Sequence, residues 1–296
     1  PEVVVTGVDG TLANVDVAWA GDLTEPGGAT IPGDTSTLYK VEHYNAFTPS
    51  DTEGGAGLWP DPLVPDNDYF YGQERNRFPF DVPAGENGTV WVDVFVPTGL
   101  PAGTYQGAIN VTADGHADTV PVSVEVLDFD LPSTSTVRSA FWTTGDGWRR
   151  PCQAHQNNDT CGGDENERWR LQGAYARAGL ENRISLPNPV TDVGNPPPTA
   201  GTARDGFEDH VLPLMTGTDP VGQQPLRLPG AQLTTIGQYA YAGWHCTSQS
   251  CLDGWVNEAA ASGFADRLVL YGCDEPNTAA KFAACETQHG NYPADV

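Results

Sequence analysis

Basic residues are scarce in this chain: 14 Lys and Arg stand against 39 Asp and Glu, for a formal net charge of -25. A phosphate backbone is repelled by such a surface, which excludes nucleic acid as a partner. Lysine itself occurs only at Lys40 and Lys281, and an acid-rich, lysine-poor surface fits an extracellular or cell-surface protein, or one living in salt. No apolar run approaches the roughly 20 residues that a membrane-spanning helix needs, and no charged-then-apolar leader stands at Pro1. The sequence therefore reads as a mature or excised segment without a membrane span.

Metal-binding spacings are missing too. There is no C-x-x-C, and the six histidines form neither H-x-H nor H-E-x-x-H. No metal and no cofactor are expected. The six cysteines fall into close pairs, Cys152/Cys161, Cys246/Cys251 and Cys273/Cys285. They are read as disulfides, local bridges being the simplest of the possible pairings. Asn87, Asn110 and Asn158 head N-x-T sequons, which permit glycosylation in a secreted protein. Asp61, Asp66 and Asp68 lie in a Pro-rich run. Because no known calcium-loop spacing is present, a solvated turn is favoured there over a calcium site.

What is present divides at about residue 132. Glu2 to Val5 and Thr11 to Trp19 read as strands around a Val-Asp-Gly turn. Residues 21–36 and 47–68, dense in Gly, Pro, Asp and Thr, read as surface connections. Val90, Val92, Val94 and Val96 share one face of an alternating strand. Turns at Pro97 to Gly103 and at Asp114-Gly115 then lead into Thr104 to Thr112 and Thr119 to Leu127, which suggests an antiparallel meander within a β-sandwich over residues 1–132.

From 133 to 296 the rhythm changes. The pattern predicts strands over Val137 to Trp142, Arg183 to Leu186 and Gln232 to Tyr241. A helix over Glu165 to Gly179 should place Trp169, Leu171 and Tyr175 near one face, and a long Pro/Gly stretch runs to Gly230. A second helix, with Leu252, Trp255, Val256, Ala259, Ala260 and Phe264 at helical spacing, closes at Gly263. The apolar run Leu268 to Tyr271 then reads as a buried parallel strand. This is the grammar of a (β/α) barrel or an open α/β sheet, with about four strands, too few for a closed barrel, so the expected fold is multidomain: a β-sandwich followed by an incomplete TIM-type barrel.

Asp274 and Glu275 follow that last strand, with Pro276 opening a helix over Asn277 to Glu286. Two acids at the carboxyl end of a parallel strand can divide the labour of a glycosidase, one protonated and one ionised. Acids are equally at home before any helix N-terminus, and spacing leaves both readings open. Trp142 and Trp244 are candidates for stacking on a sugar face, against ordinary core packing. Tyr271 is grouped with them as a substrate-binding candidate.

Leu100-Pro101-Ala102-Gly103-Thr104-Tyr105-Gln106-Gly107, the exit Val126-Leu127-Asp128-Phe129-Asp130-Leu131-Pro132, and Gly254-Trp255 through Gly263-Phe264 into Leu270-Tyr271-Gly272-Cys273-Asp274-Glu275-Pro276 together resemble glycoside hydrolase family 123 and its uncharacterised relatives. The resemblance implies a β-sandwich followed by a catalytic (β/α)8 barrel. It also implies retaining, substrate-assisted hydrolysis of β-N-acetylgalactosaminides. By it, Asp274 orients the acetamido group and Glu275 is the acid and base; a glycan or polysaccharide is the substrate. The family's barrel continues past its Asp-Glu strand, so the chain is expected to stop midway through a longer protein. A non-catalytic structural or carbohydrate-binding surface protein, assembled with other extracellular chains, is the alternative.

Overall fold

The computed structural model describes residues 1–49, 51–69, 72–141, 165–186, 202–221, 225–241, 244–245 and 248–290, with only the main chain described at 165–168, 202–205, 238–241, 244–245 and 288–289. The chain divides into two compact units, Pro1–Leu131 and Pro132–Val296.

The first unit is built from antiparallel strands. β1 (Glu2–Thr6), β5 (Thr37–Ala46), β6 (Gly57–Pro65) and β8 (Asn87–Asp93) form a four-stranded sheet in the order β1-β8-β5-β6. The second sheet has six strands: β2 (Leu12–Trp19), β3 (Leu23–Thr24), β4 (Thr30–Ile31), β7 (Phe80–Val82), β9 (Gly103–Ala113) and β10 (His116–Val126). β9 pairs along its length with β10 on one side and with β2 and β3 on the other. The core joins the two sheets: Val3, Val90 and Val92 from the first pack with Val15, Val17, Val82 and Ile109 from the second. Alternation puts these valines inward, and burial of each such side chain contributes about 1.5–3 kcal/mol.

Three expectations for this unit change. The turn at 8–10 does not join a hairpin, because β1 pairs with β8 while β2 pairs with β7 and β9. It carries the chain from one sheet to the other at Gly7, where a Cβ would lie 2.5 Å from the Pro83 carbonyl oxygen. Likewise β8 and β9 are not neighbours in a meander, and the 97–102 connection crosses between sheets. Residues 57–65, read as surface connection, form β6, which pairs with β5 alone at the edge of its sheet. Its Pro60, Pro62 and Pro65 lack N–H donors, which an edge tolerates and a central strand does not.

The Asp61–Asp68 run makes protein contacts. Asp66 Oδ1 accepts hydrogen bonds from Arg77 N and Phe78 N, each 2.8 Å. Asp68 pairs with Arg75 at 3.1 Å. These acids fasten a loop. Among the described residues no three His, Cys, Asp or Glu side chains gather in metal-binding geometry.

The second unit mixes helices and strands. Its helices are α1 (Glu165–Glu181), α2 (Thr202–His210), α3 (Leu212–Thr216), α4 (Gln249–Ala261) and α5 (Ala279–His289). β11 (Ile236–Tyr241), β12 (Trp244–His245) and β13 (Leu268–Tyr271) form a sheet in the order β12-β11-β13. β11 and β13 are parallel, while β12 runs antiparallel to β11. α2 and α3 lie inside the stretch read as loop. Phe207, Val211, Leu214 and Met215 are buried there, so a short apolar helical face hides between Pro- and Gly-rich flanks. Phe207 is the hub, with ring centroids 5.3 Å from Trp169 of α1, 6.0 Å from Trp255 of α4 and 6.4 Å from Phe264. On α1 the buried face is Trp169, Ala176 and Leu180, whereas Tyr175 is 44% exposed, contrary to the expected face.

The strands expected at 137–142 and 183–186 are not ladder strands at 137–141 and 183–186. One main-chain bond and two serine hydroxyls hold these segments instead. Phe141 N donates to Ser185 O at 3.2 Å, Ser185 N to Ser139 Oγ at 2.9 Å, and Thr234 N to Ser185 Oγ at 2.7 Å. Ser185 and Thr234 are buried, so each such bond satisfies a group that would otherwise be costly to bury. The described residues thus form a β-rich, two-unit chain with one parallel strand pair, and a TIM barrel is not established by them.

Candidate active site

The site begins with β13. Its parallel partner is fixed by Ile236↔Leu268 through Tyr239↔Tyr271, so both strands present their carboxyl ends on one side. α4 leads into β13. Ser248 caps it, its Oγ accepting from Cys251 N at 3.3 Å, and Leu252, Trp255, Ala259 and Phe264 are buried. Gly263 ends the helix at φ 77°, the left-handed conformation that glycine adopts without penalty. Arg267 then binds the entry to β13 in place. Its Nη1 donates to Met215 O at 2.7 Å and to Leu233 O at 3.0 Å. Burial holds this guanidinium below its ordinary value, with Asp266 opposing the shift. β13 itself is half-buried along its length, not buried as its apolar run suggests.

Asp274 and Glu275 stand just beyond the carboxyl end of β13, and both are exposed. Tyr271 Oη, half-buried on the last strand residue, donates to Asp274 Oδ1 at 3.0 Å. Glu275 has φ 42°, an uncommon left-handed conformation for a non-glycine residue. Its main-chain oxygen accepts from Asn277 N at 2.8 Å and from Lys281 Nζ at 3.3 Å. Cys273 is bonded to Cys285 of α5, so α5 holds the acid loop by a covalent tie and by a lysine. Nothing in the spacing of Lys281 signals that second role.

Trp244 begins β12 opposite Tyr241, at the same end of the sheet as the acids. Trp142, Cys152, Cys161, Cys246 and Asn158 lie outside the described residues. Cys251 is disulfide-bonded, and no cysteine among the described residues is free. Asn87 and Asn110 are exposed on β8 and β9. Their Oδ1 atoms accept from Thr6 Oγ1 at 2.8 Å and Thr119 Oγ1 at 3.2 Å. No helix among the described residues is long and apolar enough to cross a membrane.

The chain is similar to a solved structure of a family 123 glycoside hydrolase from Clostridium perfringens, described in a structural analysis of glycolipid glycan hydrolysis. The two share 14% identity with a TM-score of 0.53 over 97% of this chain and 47% of that one. The likeness is one of fold, and this chain spans about half the length of that enzyme. No known family model matches the sequence, and no curated protein matches it.

Proposed function

We propose that this chain belongs to a secreted glycoside hydrolase-like protein and carries the acid pair that acts on glycosides of 2-acetamido sugars. The observation that carries the reading is the position of Asp274 and Glu275 beyond the carboxyl end of a parallel strand, in a chain whose fold is similar to that of a family 123 glycoside hydrolase. In this reading the substrate's acetamido oxygen attacks the anomeric carbon while Glu275 gives its proton to the departing oxygen. Asp274, its carboxylate aligned by Tyr271, stabilises the positive charge of the resulting oxazolinium. Glu275 then takes a proton from the water that opens this ring, and the anomeric configuration is retained.

The exposure of both carboxylates favours a second reading, a carbohydrate-binding or structural surface protein assembled with other chains, because catalytic acids of this kind work best when shielded from water. One assay separates the two. Release of 4-nitrophenol from the N-acetyl-β-galactosaminide and N-acetyl-β-glucosaminide is measured for the native protein and for Glu275→Gln. The enzyme reading expects turnover that falls roughly 100-fold or more in the variant. Turnover of neither glycoside, or equal turnover by both proteins, overturns it.

A further inference from the structure

The first unit contains a concave site of its own, distant in sequence from the acid pair. Where β2 ends at Trp19 and β5 begins at Thr37, the two sheets part around a cavity of about 580 Å³. Its lining includes the buried Val17, Gly33 and Ser36. Gly33 is required there, because a Cβ would lie 2.8 Å from the Gly21 carbonyl oxygen and 3.3 Å from Trp19 Cβ. Trp19 and Phe78 supply aromatic walls, and Asp22, Asp34, Asp66 and Asn67 supply the polar groups.

Two of these carboxylates are held by the fold. Asp22 Oδ1 accepts from Gly33 N at 3.1 Å, and Asp66 Oδ1 accepts the two N–H groups of Arg77 and Phe78. Each keeps its second oxygen as an acceptor. Asp34, on the exposed turn, makes no side-chain hydrogen bond with the described residues. No Lys, Arg or His among the described residues lines the cavity, which disfavours phosphate, sulfate or a carboxylate ligand on charge.

A bare cation is disfavoured by geometry, since these three acids do not form a metal-binding cluster. An amine brings donors only and leaves the Asn67 amide N–H groups without an acceptor. A sugar hydroxyl both donates to a carboxylate and accepts from an amide, and the C–H face of a pyranose suits an aromatic wall. We infer that the cavity bounded by Trp19, Asp22, Asp34, Asp66, Asn67 and Phe78 is a binding site for a neutral saccharide, separate from the Asp274–Glu275 pair. The inference rests on the cavity's own lining and does not require the chain to be catalytic.

The test uses the Asp274→Asn/Glu275→Gln protein, so that binding is read without turnover and without the acid pair. It is titrated by calorimetry with N-acetylgalactosamine, N-acetylglucosamine, galactose, glucose and their β-linked disaccharides. The inference expects one saccharide to bind at a single site, and Asp34→Ala and Asn67→Ala each to weaken it about tenfold at unchanged melting temperature. It is overturned if no saccharide binds, if binding is indifferent to both substitutions, or if calcium or propylamine binds in place of the sugars with sensitivity to Asp34→Ala. Loss of hydrolysis in the 4-nitrophenyl assay bears on the acid pair alone, so the two readings fail separately.

Discussion

Lys281 of α5 donates its ammonium to the main-chain oxygen of Glu275 at 3.3 Å, and Glu275 is held at φ 42°. The helix that follows the acid pair therefore braces the one residue in the loop whose backbone conformation is costly. For an L-residue, that conformation costs about 1–2 kcal/mol.

Glu275→Gly relieves this strain while adding unfolded-state freedom of similar size. The expected stability, measured by urea unfolding, lies within about 0.5 kcal/mol of the native protein, although any hydrolysis dependent on the carboxylate is lost. A deficit of several times that amount would show that the Glu275 side chain carries structural bonds and would argue against its being free to act on substrate.

The Cys273–Cys285 bridge closes a loop of sequence separation 12. On the chain-entropy account such a crosslink contributes about 3 kcal/mol. Cys273→Ser/Cys285→Ser should lose stability of that order and show faster amide exchange over 272–278 than over β11. Unchanged exchange in the acid loop would mean that Lys281 and the Asn277 turn suffice to hold it.

Tyr271→Phe removes the donor to Asp274 and little else in volume. If Asp274 orients the acetamido group, kcat for an N-acetylhexosaminide should fall about tenfold with KM nearly unchanged, since one hydrogen bond to a charged group is lost at the step where charge develops. A rise in KM alone would assign Tyr271 to binding.

The sequence makes some of this legible, for physical reasons. Val90 and Val92 announce an inward face because strand side chains alternate, and Leu252, Trp255, Ala259 and Phe264 announce a buried helical stripe because helical neighbours recur at three and four. Alternation does not say which sheet a strand joins, so β8 and β9 look like neighbours although they lie in different sheets. Prolines conceal β6, whose edge position makes them harmless. Ser139, Ser185 and Thr234 replace two expected ladders with side-chain bonds, which no hydrophobic period encodes. At the site, the acids are visible as residue types, while the left-handed turn at Glu275 and its lysine brace depend on contacts with α5.

Glu181 gives a pH prediction. It pairs with Arg177 at 3.1 Å, with side chains only 1% and 6% exposed for Arg177 and Glu181. Its carboxyl is nonetheless raised above the ordinary 4.5, because loss of hydration outweighs the attraction of Arg177 and the hydrogen bond from Arg227 N. A folded-state value above the unfolded one favours the folded state most below the unfolded value, and this contribution is lost as pH rises through the folded value. Compared with Glu181→Gln, the native protein should therefore lose relative stability as pH rises from about 4.5. A difference that grows in the native protein's favour over that range would show that the ion pair dominates.

Gly173 sits in the middle of α1, where alanine ordinarily stabilises a helix by about 1 kcal/mol. Here a Cβ would run into the main-chain oxygen of His210 at the end of α2, with the His210 carbonyl carbon and Cβ at 3.0 Å. Backbone at a helix end cannot swing aside as a long side chain can, and overpacking of this kind costs about 1–3 kcal/mol. The two effects oppose each other and the collision is the larger, so Gly173→Ala should be destabilising by urea unfolding. Because α1 and α2 also meet through Trp169 and Phe207, 5.3 Å apart, the near-ultraviolet dichroism of that aromatic cluster should change in the same variant. A stabilised protein with unaltered dichroism would mean that α2 shifts freely, and that the Phe207 hub does not fix the helices against one another.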